Sequence, residues 1–218
     1  MKNFLFVSLL ILTFKLQAEP RIFAIAGSPA AGKTTFVQDK LREKFFPDNV
    51  FIHDCDAVMN SLEGYQADLK LLGSVKAFEK WELPARELAE SMLLDAVKAK
   101  KHIIYDRTCA LPSSYSFLSD IVQKHGYTLI MHVLYVNKEE AVTRATQRER
   151  LTGRHIPQTS LFERMLGIKS LWPSYVKLAK QCFLYDNNDP KRQLIAIGKD
   201  NKLIILNQER YEAFINQQ

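Results

Sequence analysis

Short apolar runs alternate along the chain with longer stretches in which apolar residues recur at helical spacing. The runs cover 22–26, 50–52, 103–105, 128–136 and 182–185. Runs of this length, bounded by turn residues, are typical of buried strands, and the stretches between them are typical of helices that bury one face. Because parallel strands need crossover connections, this alternation predicts a mostly parallel sheet with helices on both faces.

The helical spacing also predicts where the longer helices lie. They are expected over 33–44, 76–100, 113–124, 138–150 and 159–177. Pro84 and Pro173 fall inside two of them, and we expect a break or kink at each, because proline removes an internal hydrogen bond and crowds the preceding turn. Residues 62–65 are predicted to form a loop.

The end of the chain has a different pattern. Asp200-Asn201 separates two apolar runs, 193–197 and 203–206. Turn residues between two such runs are typical of a β-hairpin, and a short helix is expected after it. The predicted fold is therefore α/β, with three layers, a mostly parallel sheet and a C-terminal hairpin.

The clearest chemical signal lies between the first strand and the first helix. Gly27-Ser28-Pro29-Ala30-Ala31-Gly32-Lys33-Thr34 has the pattern G-x-x-x-x-G-K-S/T of a phosphate-binding loop. The glycines let the backbone N–H groups approach an anion at the start of a helix. Lys33 can then reach the β- and γ-phosphates of ATP, and the Thr34 hydroxyl can bind Mg²⁺. The predicted nucleotide-binding residues are Gly27, Ser28, Pro29, Ala30, Ala31, Gly32, Lys33, Thr34 and Thr35. The alternative is a glycine-rich turn that only connects strand and helix.

Two acidic residues, Asp54 and Asp56, follow the second strand. Ligands of open α/β sheets bind outside the carboxyl ends of the strands, so both acids are expected beside the phosphate loop. A carboxylate there can bind Mg²⁺ or accept a substrate proton. For Asp54, capping of the next helix is an equal alternative. Glu82 and Glu87 lie on a predicted helix; a solvent-exposed face is the favoured interpretation, and the alternative is that they reach the cleft.

Arginines are concentrated in and after the helix predicted over 138–150. Arg144, Arg148 and Arg150 lie in it, and Arg154 follows in a loop that precedes Pro157. An arginine over the nucleotide can neutralise the charge that spreads onto the γ-phosphoryl group in the transition state. Helix-surface arginines are commonly just solvated, so Arg154 is the better candidate for such a lid.

Composition and charge restrict the partners. The chain has 218 residues, 47% hydrophobic and 25% charged, with a formal net charge of +6. A basic protein suits nucleic acid, anionic surfaces or phosphorylated ligands. No block of five basic residues and no RNA-binding aromatic signature is present, so we expect a phosphorylated ligand and neither a nucleic-acid nor a stable membrane partner. Cys55, Cys109 and Cys182 lack metal-site spacing, and their odd number argues against a disulfide framework; all three are interpreted as small, mostly buried residues.

Residues 1–18 are predicted to be separate from the domain that follows. Lys2 precedes the apolar stretch 4–14, and Ala18 supplies a small residue at the end of the segment. This resembles a secretory signal peptide and is too short for a comfortable membrane span. It predicts a secreted or periplasmic protein. The alternatives are an uncleaved anchor or a misread start, and a cytoplasmic location.

Several motifs together resemble the zeta-toxin-like P-loop kinases. GSPAAGKTT, the strand end HDCD, IIYDRT, HGYTLIMHVLYV, the stretch Arg148 to Pro157 and FLYDNND occur in the order seen in that family. The resemblance extends from Ile22 to about Ile205. It implies a kinase-like P-loop NTPase fold for residues 19–218.

The resemblance also implies roles for individual residues. Asp56 corresponds to the catalytic base, and Arg148 and Arg154 correspond to the paired arginines that contact ATP. Asp106 and Thr108 match the strand end that contacts the sugar nucleotide, and Asp54 is placed beside them.

The predicted function is ATP- and Mg²⁺-dependent phosphoryl transfer to a hydroxyl group. The resemblance implies the 3′-hydroxyl of a UDP-activated amino sugar, as in UDP-N-acetylglucosamine kinases, and an antitoxin or inhibitor protein as partner. One alternative is a small-metabolite, nucleoside or polynucleotide 5′-kinase with the same core. Another is a non-catalytic nucleotide-binding switch or interaction protein.

Overall fold

The computed structural model describes residues 19–152 and 156–217. The predicted signal peptide, residues 1–18, and the lid candidate Arg154 lie outside these ranges. In the part of the chain that is described, no helix is both long enough and apolar enough to cross a membrane.

The described strands form one sheet. They are β1 (Arg21–Gly27), β2 (Phe51–His53), β3 (Ile103–Asp106), β4 (Thr128–Tyr135), β5 (Gln181–Asp186), β6 (Gln193–Lys199) and β7 (Lys202–Ile205). Their order is β2-β3-β1-β4-β5-β6-β7. The first five strands in this order are parallel, and β6 and β7 form the predicted antiparallel hairpin. Asp200 and Asn201 both have positive φ, 51° and 61°, as the tightest hairpin turn requires.

The five helices for which a range was predicted lie where expected, whereas two further helices after β2 had no predicted range. The described helices are α1 (Lys33–Arg42), α2 (Cys55–Ser61), α3 (Glu63–Leu72), α4 (Ser74–Lys98), α5 (Pro112–His125), α6 (Lys138–Thr152), α7 (Gln158–Leu178) and α8 (Gln208–Asn216). The loop predicted at 62–65 is wrong, because α2 and α3 meet at Leu62. Gly64 continues as helix because the ring of Trp81 from α4 packs directly over it.

No break occurs at Pro84 or Pro173, since both residues lie inside continuous helices; a kink at either position stays a prediction. Both prolines are on exposed faces. Water can therefore bond the backbone carbonyl that each proline deprives of its helical partner, and the helix tolerates the loss.

The core lies on both sides of the sheet. Successive side chains of a strand point to opposite faces, and β1 follows this rule. Ile22 and Ala24 pack in one apolar cluster with α4, α5 and α7, and Phe23 and Ile25 pack in a second with α1 and α6. The predicted three-layer arrangement is therefore confirmed, and it leaves the carboxyl ends of the parallel strands free to hold a ligand.

A buried histidine makes the core sensitive to acid. His132 in β4 is 1% exposed and stacks on Phe183, and its Nε2 has no hydrogen-bond partner among the described residues. Burial, together with a smaller effect of the Lys40 charge, lowers the pKa of His132 to about 3. The unfolded chain binds a proton at this residue below about pH 6.5, whereas the folded protein does not.

The free energy of unfolding should therefore fall as pH falls, by about 1.4 kcal/mol per pH unit for this residue between about pH 6 and pH 4. We expect His132→Phe to reduce that slope in urea denaturation, because phenylalanine does not titrate. The exposed His125 provides the control, and His125→Gln should keep the wild-type slope. An equal slope in His132→Phe would contradict the assignment.

Candidate active site

The phosphate loop connects β1 to α1 in the conformation that its sequence requires. Gly27 and Gly32 have φ values of 153° and 85°. A Cβ atom on Gly27 would lie 2.8 Å from the carbonyl oxygen of Leu134, and one on Gly32 would lie 2.6 Å from Nδ2 of Asn187. A side chain at either position would collide with its neighbour, so glycine is needed at both.

The N-terminus of α1 can bind an anion. Its N-cap residue, Gly32, offers no side-chain cap, so the N–H groups of the first turn remain for a ligand. The Lys33 ammonium donates hydrogen bonds to the carbonyl oxygens of Gly27, at 3.1 Å, and Ser28, at 3.0 Å. Lys33 therefore lies over the loop that it is predicted to serve.

A cleft of about 950 Å³ opens above this loop. The predicted site residues that line it are Pro29, Ala30, Gly32, Lys33, Thr34, Thr35, Asp54, Asp56, Asp106, Thr108 and Arg148. The other predicted loop residues, Gly27, Ser28 and Ala31, are buried behind it and shape its backbone. The fold thus brings residues from four separate segments of the chain to one cavity.

Asp54 is the N-cap of α2. Its Oδ1 accepts hydrogen bonds from the backbone N–H groups of Asp56, at 2.9 Å, and Ala57, at 3.1 Å. The capping alternative for Asp54 is therefore confirmed. Because the cap fixes the first turn of α2, Asp54 also determines where the Asp56 side chain stands.

Asp56 and Arg148 meet across the cleft. Nη2 of Arg148, from α6, lies 2.9 Å from Oδ2 of Asp56, from α2, and both side chains are 38% exposed. These residues are 92 positions apart in the chain. The pair joins the acid that follows β2 to α6, in the cleft that the phosphate loop also lines. Arg150, two residues further along α6, is exposed and does not line the cleft.

Asp106 ends β3 beside β1, in register with Ile25. Burial raises the pKa of Asp106 to about 6; Lys33 opposes this effect, and Asp54 and Asp56 add to it. The three carboxyl groups therefore share one electrostatic field with the Lys33 ammonium. A buried carboxylate in such a field is stabilised in its charged form by a cation.

This set of donors fits Mg²⁺. The Thr34 hydroxyl and the Asp106 carboxylate supply hard oxygen ligands at the phosphate loop. Within 19–152 and 156–217, no group of three His, Cys, Asp or Glu side chains is arranged to hold a metal ion. Mg²⁺ does not need such a group, because it commonly binds through one or two carboxylates together with substrate phosphates and water.

One end of the cleft contains residues that the sequence did not identify. Arg107 donates a hydrogen bond from Nη1 to Sγ of Cys55, at 3.1 Å. Burial raises the pKa of the Cys55 thiol, and Arg107 partly opposes this. Glu82 lines the cleft and pairs with Arg86 on α4 while its side chain stays 44% exposed, and Glu87 does not line the cleft. The helical spacing of α4 did not predict the position of Glu82, because the spacing does not show which turn of the helix lies beside the cleft.

The three cysteines differ in burial. Cys109 and Cys182 are fully buried. Cys55 is only partly buried and lines the cleft, a position that the sequence did not predict. All three are free thiols.

At the opposite end of the cleft, the segment after β5 touches the phosphate loop. Nδ2 of Asn187 donates to the carbonyl oxygen of Ala31 at 2.8 Å, and Nη2 of Arg144 donates to the carbonyl oxygen of Asn187 at 2.9 Å. Asp189 and Arg192 also line the cleft here. The polar run after the fifth strand could have predicted that Asn187 and Asp189 lie at the cleft, because the carboxyl ends of all parallel strands meet at the same edge of the sheet.

Solved structures share this fold. One chain of the AvrRxo1-ORF1:AvrRxo1-ORF2 complex with sulphate ions is 14% identical, with a TM-score of 0.71, and the match covers 92% of this chain and 65% of that chain. In the complex with ATP, the matching chain is 15% identical, with a TM-score of 0.71, and the match covers 92% of this chain and 64% of that chain. The chain therefore spans about 65% of the length of these relatives. A chain of the PezAT toxin–antitoxin system of Streptococcus pneumoniae is 14% identical, with a TM-score of 0.67, over 92% of this chain and 80% of that chain.

No curated protein sequence matches the chain significantly. A family model does: the zeta toxin model matches residues 11–189, more than half of the chain. The matched region contains the phosphate loop, the acids after β2 and β3, the arginine helix α6 and the end of β5. The mostly parallel sheet, with the phosphate loop between β1 and α1, is the P-loop α/β fold that the sequence predicts, and the solved structures share this fold. With these features in one site, the chain belongs to the zeta toxin family.

Proposed function

We propose that this protein is an ATP- and Mg²⁺-dependent kinase that phosphorylates the 3′-hydroxyl of a UDP-activated amino sugar, UDP-N-acetylglucosamine. The observation that carries the proposal is the Asp56–Arg148 pair, 2.9 Å apart in the cleft that the phosphate loop lines. It places a proton acceptor and a cation for the transferring phosphoryl group side by side. Phosphoryl transfer needs both functions, and otherwise depends on positioning and charge stabilisation.

The nucleotide would occupy the half of the cleft above the loop. Backbone N–H groups at the start of α1 and the Lys33 ammonium would bind the β- and γ-phosphates. Thr34 and Asp106 would hold Mg²⁺, which neutralises charge on the phosphates when bound. Asn187 and Arg144 would border the nucleoside end. ATP in the complex with AvrRxo1-ORF1:AvrRxo1-ORF2 supports a nucleotide role for this fold.

The acceptor would enter from the side lined by α2 and α4. Asp56 takes the proton of the attacking hydroxyl, and Arg148 neutralises charge on the γ-phosphoryl group as it transfers. Thr108 contacts the sugar, and Arg107 and Arg86 supply guanidinium groups for the diphosphate of the sugar nucleotide. Arg154, the second arginine that the resemblance assigns to ATP, remains a prediction.

Two other functions use the same site. A small-metabolite, nucleoside or polynucleotide 5′-kinase would keep the nucleotide half and differ only in the acceptor half. A nucleotide-binding switch would need neither a base nor a phosphoryl-directed arginine, so the Asp56–Arg148 pair favours a kinase. We also propose an inhibitor protein as partner, as in the PezAT toxin–antitoxin system.

Incubation of the purified protein with γ-labelled ATP and a panel of acceptors tests these functions. The panel contains UDP-N-acetylglucosamine, other sugar nucleotides, nucleosides and RNA with a 5′-hydroxyl, and the Lys33→Ala protein is the matched control. We expect label on UDP-N-acetylglucosamine with the wild type only. Label on another acceptor would replace the proposed substrate, and slow release of phosphate without transfer would favour the switch.

Arg148→Ala is expected to lower kcat by roughly 10- to 100-fold, with a smaller change in ATP affinity. The arginine is needed chiefly as charge develops on the transferring group, and Lys33 retains part of the ground-state attraction. Steady-state kinetics with ATP and the best acceptor measure both parameters. Arg150→Ala removes the same charge from an exposed position of the same helix and should change kcat little. Equal losses in the two variants would contradict the assignment.

A further inference from the structure

An arginine from the far end of the chain returns to the nucleotide end of the cleft. Arg210 lies in α8, beyond residue 189, where the zeta toxin match ends. Its Nη1 is 2.7 Å from Oδ2 of Asp186, and its Nη2 is 3.0 Å from Oδ2 of Asp189. One guanidinium group thus joins both ends of the loop Asp186–Asp189, which follows β5. Arg210 itself does not line the cleft.

Asp186 depends on this contact. It is 4% exposed, and a carboxylate in such a position is costly unless it is paired and hydrogen-bonded. Its Oδ1 accepts hydrogen bonds from the backbone N–H of Asn188, at 2.9 Å, and from Nδ2 of the same residue, at 2.6 Å. Arg210 supplies the only counter-charge in the ion pairs described for Asp186 within 19–152 and 156–217.

The same loop holds the phosphate loop. Asn187 donates its backbone N–H to the carbonyl oxygen of Tyr135, at 2.8 Å, and its Nδ2 to the carbonyl oxygen of Ala31, also at 2.8 Å. The residue before Ala31, Ala30, has a φ of 64°, a left-handed conformation that a non-glycine residue holds only when its surroundings impose it. The Asn187 amide is one of those surroundings.

Arg210 is anchored to the body of the protein. The side chain of Asn207 accepts the backbone N–H of Arg210 at 3.1 Å and caps α8. Phe214 of the same helix is 1% exposed in the core, and the Tyr135 hydroxyl donates to the carbonyl oxygen of Ala213 at 3.3 Å. The guanidinium group therefore connects the loop to a packed helix rather than to a free tail.

We propose that Arg210 is a positioning residue for nucleotide binding, which holds the loop Asp186–Asp189 so that Asn187 keeps the phosphate loop in its binding conformation. This inference rests on the proposed function for the identity of the ligand, ATP. Loss of the guanidinium leaves Asp186 and Asp189 without their shared cation, so the loop should loosen and the Asn187–Ala31 hydrogen bond should break for part of the time. Because Arg210 does not touch the cleft, nucleotide binding should weaken while the chemical step is retained.

The kinetic test compares Arg210→Ala with Arg210→Lys and with Asn187→Ala. We expect Arg210→Ala to raise the KM for ATP about tenfold and to change kcat by less than about threefold, with most of the loss recovered in Arg210→Lys. Asn187→Ala should raise the KM for ATP by a similar factor. The KM of the double variant, Arg210→Ala with Asn187→Ala, should not exceed that of the more affected single variant, because both residues act through the Asn187–Ala31 hydrogen bond. Lys191→Ala removes a charge from an exposed neighbouring position and should behave as wild type.

Amide hydrogen exchange separates this inference from the proposed function. In Arg210→Ala, peptides that cover 186–189 and 27–34 should exchange faster, and peptides from α5 should be unchanged. If the wild type binds no ATP, the proposed function is wrong, and the exchange pattern alone decides the role of Arg210. Unchanged exchange at 27–34, faster exchange throughout the protein, additive losses in the double variant, or a fall in kcat at constant KM would each overturn the inference.

Discussion

Replacement of Asp56 by asparagine is expected to lower kcat by roughly 10²- to 10⁴-fold, with ATP affinity little altered. Asparagine keeps the size of the side chain and can still accept a hydrogen bond from Arg148, but it cannot take the proton of the acceptor hydroxyl. Asp56 stands in the first turn of α2, on the acceptor side of the cleft, and does not belong to the phosphate loop. Single-turnover transfer to the acceptor, together with ATP binding, measures the two effects separately.

Asp54→Asn is the matched control for this variant. Asparagine is as good an N-cap as aspartate, so α2 should keep its first turn. Asp54→Asn should therefore cost less than Asp56→Asn, or act through Mg²⁺ and be partly restored by a higher metal concentration. The opposite ranking would assign the base to Asp54. Full activity in both variants would mean that another group deprotonates the acceptor, or that the protein is not a kinase.

Lys33→Ala is expected to lower phosphoryl transfer by at least ~10²-fold, the effect of losing one preorganised charge contact with the transferring group. The Lys33 ammonium lies 3.0 Å from the carbonyl oxygen of Ser28 and lines the cleft. A flexible cation there can move to the β- and γ-phosphates without rearranging the backbone. ATP binding should also weaken, because the same charge attracts the ground-state phosphates.

Lys98→Ala controls for the loss of one positive charge, since Lys98 lies at the exposed end of α4 and pairs only with Asp95 among the described ion pairs. Such surface pairs contribute little to stability, so this variant should transfer phosphate as the wild type does. Thermal unfolding of both variants checks that the fold is kept. Wild-type turnover in folded Lys33→Ala protein would remove the phosphate-loop assignment.

The local elements of the fold could be read from the sequence because each depends on a short pattern. Apolar runs predicted the strands, and helical spacing predicted α1 and α4 to α7, with boundaries correct to within about two residues. No range was predicted for α2 or α3. The turn at Asp200-Asn201 and the glycines of the phosphate loop were identifiable because a left-handed or close-packed backbone admits few residue types. Local propensity failed in two places: Trp81 packs over the predicted loop at 62–65, and exposure to water lets the helices continue through Pro84 and Pro173 without a break.

The candidate site also contains parts that a local sequence pattern predicts and parts that only the folded structure brings together. The phosphate loop is contiguous in sequence, so its pattern alone predicted it. The Asp56–Arg148 pair was predicted only as two separate residues, because nothing local links positions that are 92 apart. The cleft residues Arg86, Arg107 and Arg192 carried no pattern, since an arginine on a surface and one beside a ligand look alike in sequence.

The sequence by itself determined the strand and helix pattern and the presence of a phosphate-binding loop. The tertiary structure decided the strand order, the pairing of Asp56 with Arg148, the capping role of Asp54 and the contact of Arg210 with the loop after β5. The reason is physical. Backbone conformation responds to neighbouring residues in the chain, whereas these contacts arise only when β3 inserts between β2 and β1 and the helices pack on both faces of the sheet.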